Sequence, residues 1–369
     1  MGEEENLTAK SLARQSRGGL ENPPSFLHGC GINFGNDAVP MINVILFVAV
    51  FVTARQSYAA DKLVGLHSAP AISQSLPWIA KEAGLFQKNN LDFDLVYIQA
   101  SAAATASLIG GDAEVAVTGA IGIVRAYLQG MQDFVFIGAN KNILTHSIVG
   151  RPDIKRPQDL KGKRIGVFRF GSNNHYFAVQ ALPRYGLDPN RDVILRQTGG
   201  GVGDIAALVN GSLDAAVMLS YGETAVAQGF HYIVYGPDIR IPYAATTFVT
   251  RRPVVNRRPQ VLGQFMRAMA EASKIFHTDS EFTYKVLAKH LRMDDRKVLE
   301  VSFKNEVKAL EPRLDLKPES LQAILDEVAA SDPRAKNVKP QQLIDRRYLD
   351  DMEKSGLFEN LWTGKRKSS

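Results

Sequence analysis

The sequence repeats itself at an offset of one hundred positions. Residues 106–117 read ASLIGGDAEVAV and residues 206–217 read AALVNGSLDAAV, with the apolar positions in register. Each copy is the end of a helix, a glycine turn and the start of a strand, and the elements on either side also match in order. The first half reads as strand Lys62–His67, a helix opened by Pro77 and ended at Gly84, strand Leu91–Ile98, an alanine-rich helix Ser101–Ile109, strand Glu114–Thr118, helix Gly119–Gln129 and strand Phe134–Ala139. The second reads as strand Lys163–Phe168, helix Ser172–Tyr185, strand Asp192–Gln197, helix Gly203–Val209 and strand Asp214–Leu219. Strand–helix–strand units with short connections build mostly parallel sheets with right-handed crossovers. Two such units predict an α/β fold of two lobes. Ligands in open α/β sheets sit outside the carboxyl ends of the strands, so two facing lobes predict a binding cleft. From Pro259 onward the pattern turns helical: Val261, Leu262, Phe265, Met266 and Met269 share one face and are expected to pack on the lobes.

Composition narrows the function. With 369 residues, 45% of them hydrophobic, the chain is long enough for two domains. Cys30 is its one cysteine, which excludes a disulfide framework, a cysteine zinc site and an iron–sulfur cluster. The net charge of +6 is small for this length and no Lys/Arg block with interleaved aromatics occurs, so nucleic acid is not expected as a partner. No P-loop, HExxH or GxSxG motif is present. Gly201-Val202-Gly203-Asp204-Ile205-Ala206 fits a dinucleotide fingerprint, but it lies in the second half and lacks the acidic residue downstream. It reads instead as a glycine turn offering backbone to a ligand. Neither a metal nor an organic cofactor is expected, and no catalytic set is visible.

Residues 42–54 are almost continuously apolar, the length of a secretory signal core and too short to span a bilayer well. Ser57 and Ala59 supply small residues at the spacing a signal peptidase accepts, so cleavage is expected after Ala59 or Ala60. The segment 41–60 is therefore taken as a signal peptide and 1–40 as a non-native or disordered extension, with Met41 as the start. The alternative is a retained membrane anchor behind a short tail.

Helix N-termini present free N–H groups and partial positive charge, which favours anions. Four starts carry hydroxyls or amides beside them: Ser73-Gln74-Ser75, Ser101-Ala102, Thr118-Gly119 and Gly171-Ser172-Asn173-Asn174. Each also reads simply as a helix cap. Arg169 ends a strand and can pair bidentately with a sulfonate or carboxylate, or else form a surface ion pair. Phe170, Tyr97, Trp78, Tyr176 and above all Tyr221 are candidates for an apolar wall, and Glu223 can hold an amino group. The expected ligand-binding set is Ser73, Gln74, Ser101, Thr118, Gly119, Arg169, Gly171, Ser172, Asn173, Tyr221 and Glu223.

Four stretches carry a family resemblance: PWIAKEAGLF at 77–86, LIGGDAEV at 108–115, PDIKRPQDLKGKRIGV at 152–167 and YLDDMEKSG at 348–356. In their order the chain resembles bacterial ABC-transporter substrate-binding proteins of the nitrate/sulfonate/taurine class, which share a domain with thiamine-pyrimidine-precursor-binding proteins. The resemblance implies a type II periplasmic binding fold, with crossings at Thr145–Pro157 and Pro237–Arg251 and closure on the ligand. Lobe 1 is then 61–150 plus 243–369, and lobe 2 is 151–242. It implies a monomeric periplasmic receptor that delivers a small anionic organic ligand to an ABC permease and its ATPase subunit. The alternatives are a binder of a thiamine pyrimidine precursor and an enzyme on the same scaffold, of pyrimidine-forming or menaquinone-pathway type. The cysteine-rich motif of the pyrimidine-forming relatives is absent here.

Overall fold

The computed structural model describes residues 60–363 apart from residues 100, 220 and 294. The extension 1–40 and the expected signal segment with its cleavage box lie outside the described residues, Ala60 excepted.

Among the described residues ten strands form two sheets: β1 (Asp61–His67), β2 (Leu91–Tyr97), β3 (Val115–Thr118), β4 (Phe134–Leu144), β5 (Ser147–Gly150), β6 (Arg164–Val167), β7 (Ile194–Gln197), β8 (Ala215–Met218), β9 (His231–Val234) and β10 (Ile241–Arg251). The first sheet has the order β2-β1-β3-β10-β4 and the second β7-β6-β8-β5-β9. The repeat thus extends to topology. In the first sheet β1 pairs parallel with β2 and β3 while β10 runs antiparallel to β3 and β4. In the second, β6 pairs parallel with β7 and β8 while β5 runs antiparallel to β8 and β9. The fold is the two-lobe α/β arrangement with mostly parallel sheets that the sequence predicts.

Each crossing joins the edge strand of one sheet to the antiparallel strand of the other. Thr145 and His146 link β4 to β5, and 235–240, including the short helix Gly236–Ile239, link β9 to β10. The first crossing is shorter than the Thr145–Pro157 segment expected. Ser147–Gly150, expected in lobe 1, pairs with β8 and β9 in the second sheet. β5 escapes a sequence reading because all four of its residues are buried, which removes the alternation that marks a half-exposed strand.

The helix Pro259–Thr278 buries Val261, Leu262, Phe265, Met266 and Met269 against the first sheet, as its periodicity predicts. Phe265 packs 5.3 Å from Phe93 of β2 and 6.1 Å from Phe248 of β10, centroid to centroid. Each such buried side chain contributes about 1.5–3 kcal/mol, so this helix fixes the first sheet firmly and leaves its strand ends as a rigid platform. Among the described residues, no helix is long and apolar enough to cross a membrane.

The halves also touch through aromatic rings near the crossings. Tyr176, on the helix Asn173–Ala181, lies 4.8 Å from Tyr243 of β10, whose hydroxyl donates to Glu327 at 2.8 Å. Burial pushes the Glu327 carboxyl up from 4.5 to about 7, against Tyr243 and Arg125, which favour the anion. A folded-state pKa above the unfolded one means the folded protein holds the extra proton between pH 4.5 and about 7. This contribution is therefore full at acid pH, declines as pH rises through that window and is flat above it. Glu327→Gln is expected to match wild type near pH 4 and to exceed it by about 2 kcal/mol at pH 8, read from urea unfolding at both pH values. A difference that does not grow with pH would contradict it.

Candidate ligand-binding site

A cavity of about 460 Å³ opens where the crossings meet the carboxyl ends of the strands. The first half supplies Pro70, Ala71, Ile72 and Ser73 from the loop after β1, Leu291 and Met293, and Val298, Ser302, Asn305 and Glu306 from the helix Arg296–Val307. The second half supplies Ser147, Leu219, Tyr221, Glu223, Thr224 and Tyr232, and the crossings supply Thr145, Tyr235 and Pro237.

On the first-half side, polar contacts hold the loop in place. Gln74 Oε1 accepts from the backbone N–H groups of Ser68 and Ala69 at 2.9 and 3.0 Å, and its Nε2 donates to Ser68 Oγ at 3.3 Å. Thr118 Oγ1 donates to Ser68 Oγ at 2.9 Å, Thr246 Oγ1 donates to Ser73 Oγ at 3.0 Å, and Asn140 Nδ2 donates to the Ser73 carbonyl at 2.6 Å. Buried hydrogen bonds of this kind rigidify a site. Below the cavity, buried Lys141 donates to Thr145 Oγ1 and Glu306 Oε1, both at 2.6 Å, tying the crossing to the Arg296–Val307 helix.

On the second-half side, Glu223 Oε1 accepts from Tyr232 Oη at 2.8 Å and from Asn305 Nδ2 at 3.0 Å. The second of these bonds spans the two halves. Tyr221 sits beside the glycine turn Gly199-Gly200-Gly201, whose φ values of 81°, 76° and 68° are left-handed, a region a side chain enters only with strain. A Cβ on Gly201 would stand 3.7 Å from the Tyr221 ring, and one on Gly200 would stand 2.9 Å from the Phe168 ring. The turn is thus pressed between two aromatic rings at the rim of the second sheet.

Of the expected binding residues, Ser73, Tyr221 and Glu223 line the cavity. Gln74 and Thr118 are buried and spend their polar atoms on the loop network. Gly119 caps the helix Ala120–Leu128 from an extended backbone. Ser172 caps the helix Asn173–Ala181, accepting from His175 N–H and donating to the Arg169 carbonyl, with Gly171 in the turn before it and Asn173 opening the helix. Arg169 is exposed, its guanidinium 5.2 Å from the Phe168 ring centroid. These residues share the second sheet's strand-end rim but are not among the cavity's lining residues. Ser101 begins its helix as expected, but its side chain lies outside the described residues. Of the aromatic candidates, Trp78 and Tyr176 are buried, while Tyr97 and Phe170 are exposed.

The sequence reading missed Tyr232, Tyr235, Ser302, Asn305 and Glu306. The only trace of the last three is polar spacing on an amphipathic helix, since Val298, Ser302, Asn305 and Glu306 recur at i, i+4, i+7 and i+8 on one face. Among the described residues, no group of three or more His, Cys, Asp or Glu side chains is placed to hold a metal ion.

Two five-stranded sheets of matching order, two crossings and a cavity between them define the periplasmic-binding-protein type of fold. The model of the NMT1/THI5 like family matches residues 76–281, more than half of the chain, and the chain belongs to that family. It is 25% identical over 242 residues to the taurine-binding periplasmic protein of Escherichia coli strain K12, covering 64% of this chain and 72% of that one. The periplasmic aliphatic sulphonate-binding protein SsuA from Escherichia coli has the same fold, with a TM-score of 0.62, 20% identity, and 75% of this chain and 92% of that one covered. So does the desulfurization enzyme DSZB, with a TM-score of 0.61, 17% identity, and 80% and 99% covered.

Proposed function

We propose that this protein is a periplasmic solute receptor. It captures a small organic acid of sulfonate, taurine or carboxylate type and delivers it to an ABC permease driven by a separate ATPase subunit. The observation that carries the reading is the cavity at the crossings, walled by elements of both sheets. A ligand there contacts both halves at once, so its binding free energy favours the closed arrangement of the lobes. The lobes divide at the crossings, 61–144 with 241–363 on one side and 147–234 on the other. The taurine-binding relative supports both the class of ligand and the periplasmic location. The anionic group of the ligand belongs at the strand ends, where Gly119 after β3 of the first sheet and Arg169 and the turn at Gly199–Gly201 of the second offer N–H groups and a guanidinium.

Binding without chemistry is the reading we favour, although DSZB shows that the fold also hosts an enzyme. Glu306, a carboxylate placed to act as a base, is tied to Lys141 and Thr145. Calorimetry against organic sulfonates, nitrate and carboxylates tests the proposal, with NMR of the recovered ligand. At least one of these anions is expected to bind at micromolar Kd or tighter and to be recovered unchanged. Failure of every anion to bind, or conversion of the one that does, would refute it.

A further inference from the structure

The cavity contains a negative charge with no positive partner. Glu223 makes no ion pair among the described residues, and neither Lys nor Arg lines the cavity. Its neighbour Glu306 is neutralised by Lys141, which leaves Glu223 as the unbalanced charge. Both of its hydrogen bonds fall on Oε1, so Tyr232 and Asn305 hold the carboxylate in place and Oε2 accepts no bond among the described residues. Around it stand the rings of Tyr221, Tyr232 and Tyr235, the last two 5.1 Å apart and edge-to-face. Neutral hydroxyl and amide donors orient a carboxylate but do not cancel its charge. A carboxylate beside aromatic faces is the environment that stabilises an organic ammonium, through Coulomb attraction and cation–π contact together. The candidate anion groups Gly119, Arg169 and the turn at Gly199–Gly201 are not among the cavity's lining residues.

We infer that the ligand carries a positively charged amine, held by Glu223 and the tyrosines around it, so that a solute of the organic-acid class is a zwitterion. This rests on the reading of the protein as a receptor for organic acids and selects within that class. It also explains why Glu223 is held from both halves. The ammonium binds a carboxylate already bridged to the Arg296–Val307 helix by Asn305, so the amine strengthens a contact that spans the closure.

The test compares matched ligands that differ in the amine: taurine against ethanesulfonate, and homotaurine against propanesulfonate, titrated calorimetrically into the full-length chain at neutral pH. In each pair the amine is expected to bind at least about tenfold more tightly. Glu223→Gln is expected to bring that ratio to within about threefold of one. Tyr221→Leu, at an exposed position where folding is not at risk, is expected to lower the ratio several-fold. Equal binding within the pairs, or a ratio that survives Glu223→Gln, overturns the inference while leaving the receptor intact. Failure of all four to bind also overturns it, and the receptor reading then stands or falls on the wider anion screen.

Discussion

Gly236→Ala is expected to destabilise the protein by at least about 3 kcal/mol, because it sets a methyl group into backbone that has no room to yield. A Cβ at this position would lie 1.6 Å from the His146 carbonyl oxygen, 2.6 Å from its carbon and 3.0 Å from the carbonyl carbon of Thr145. Flexible side chains relieve clashes of this kind by rotating, whereas here the obstacle is the other crossing. Gly236 N–H also donates to Ser147 Oγ at 3.0 Å, so the two connections are joined as well as close-packed. His146 of the first crossing is buried, its pKa lowered to about 3 by desolvation and by Lys141, and it stays neutral throughout the physiological range. The expected readout is a clear drop in the urea midpoint together with weaker ligand binding, since the same crossings form one wall of the cavity. A variant as stable as wild type would contradict the packing described at the hinge.

Lys141→Met is expected to cost about 3 kcal/mol, at the low end of the range for breaking a buried ion pair because Glu306 keeps some contact with water. Lys141 is 3% and Glu306 13% exposed in their side chains, so removing the ammonium leaves a carboxylate that solvent cannot fully restore. Thr145 Oγ1 still donates to Glu306 Oε2 at 3.1 Å, which offsets only part of the loss. Lys141→Met combined with Glu306→Gln removes both charges and is expected to return to within about 1 kcal/mol of wild type, because the penalty arises from the unpaired ion more than from the lost bridge. Chemical unfolding of the two single variants and the double variant measures it. A single variant that loses less than about 1 kcal/mol would show that the pair is not effectively buried.

The internal repeat made the architecture legible because it records the same structural problem solved twice. The turns at 110–111 and 210–211 close helices that pack on parallel strands of equivalent position, β3 and β8. What the repeat could not convey was how the halves exchange strands. β5 completes the second sheet and β10 the first through pairings remote in sequence, and β5, being buried throughout, shows no alternation. Ser73 was legible from a helix start, and Tyr221 and Glu223 from the segment that follows the strand β8. Helix starts proved a permissive guide: Gln74 and Ser172 hydrogen-bond within their own loops, as capping residues do, and the Thr118 hydroxyl donates to Ser68 in the loop after β1. Asn305 and Tyr232 were hidden because one lies on a helix that reads as ordinary packing and the other on a short strand. Only tertiary structure brings either to Glu223.

The central claim is that the two lobes close on a ligand held between them. Small-angle X-ray scattering of the protein, alone and saturated with the tightest-binding anion from the calorimetric screen, tests it most directly. A smaller radius of gyration in the saturated sample is the predicted result, and an unchanged scattering profile at proven saturation would contradict the account.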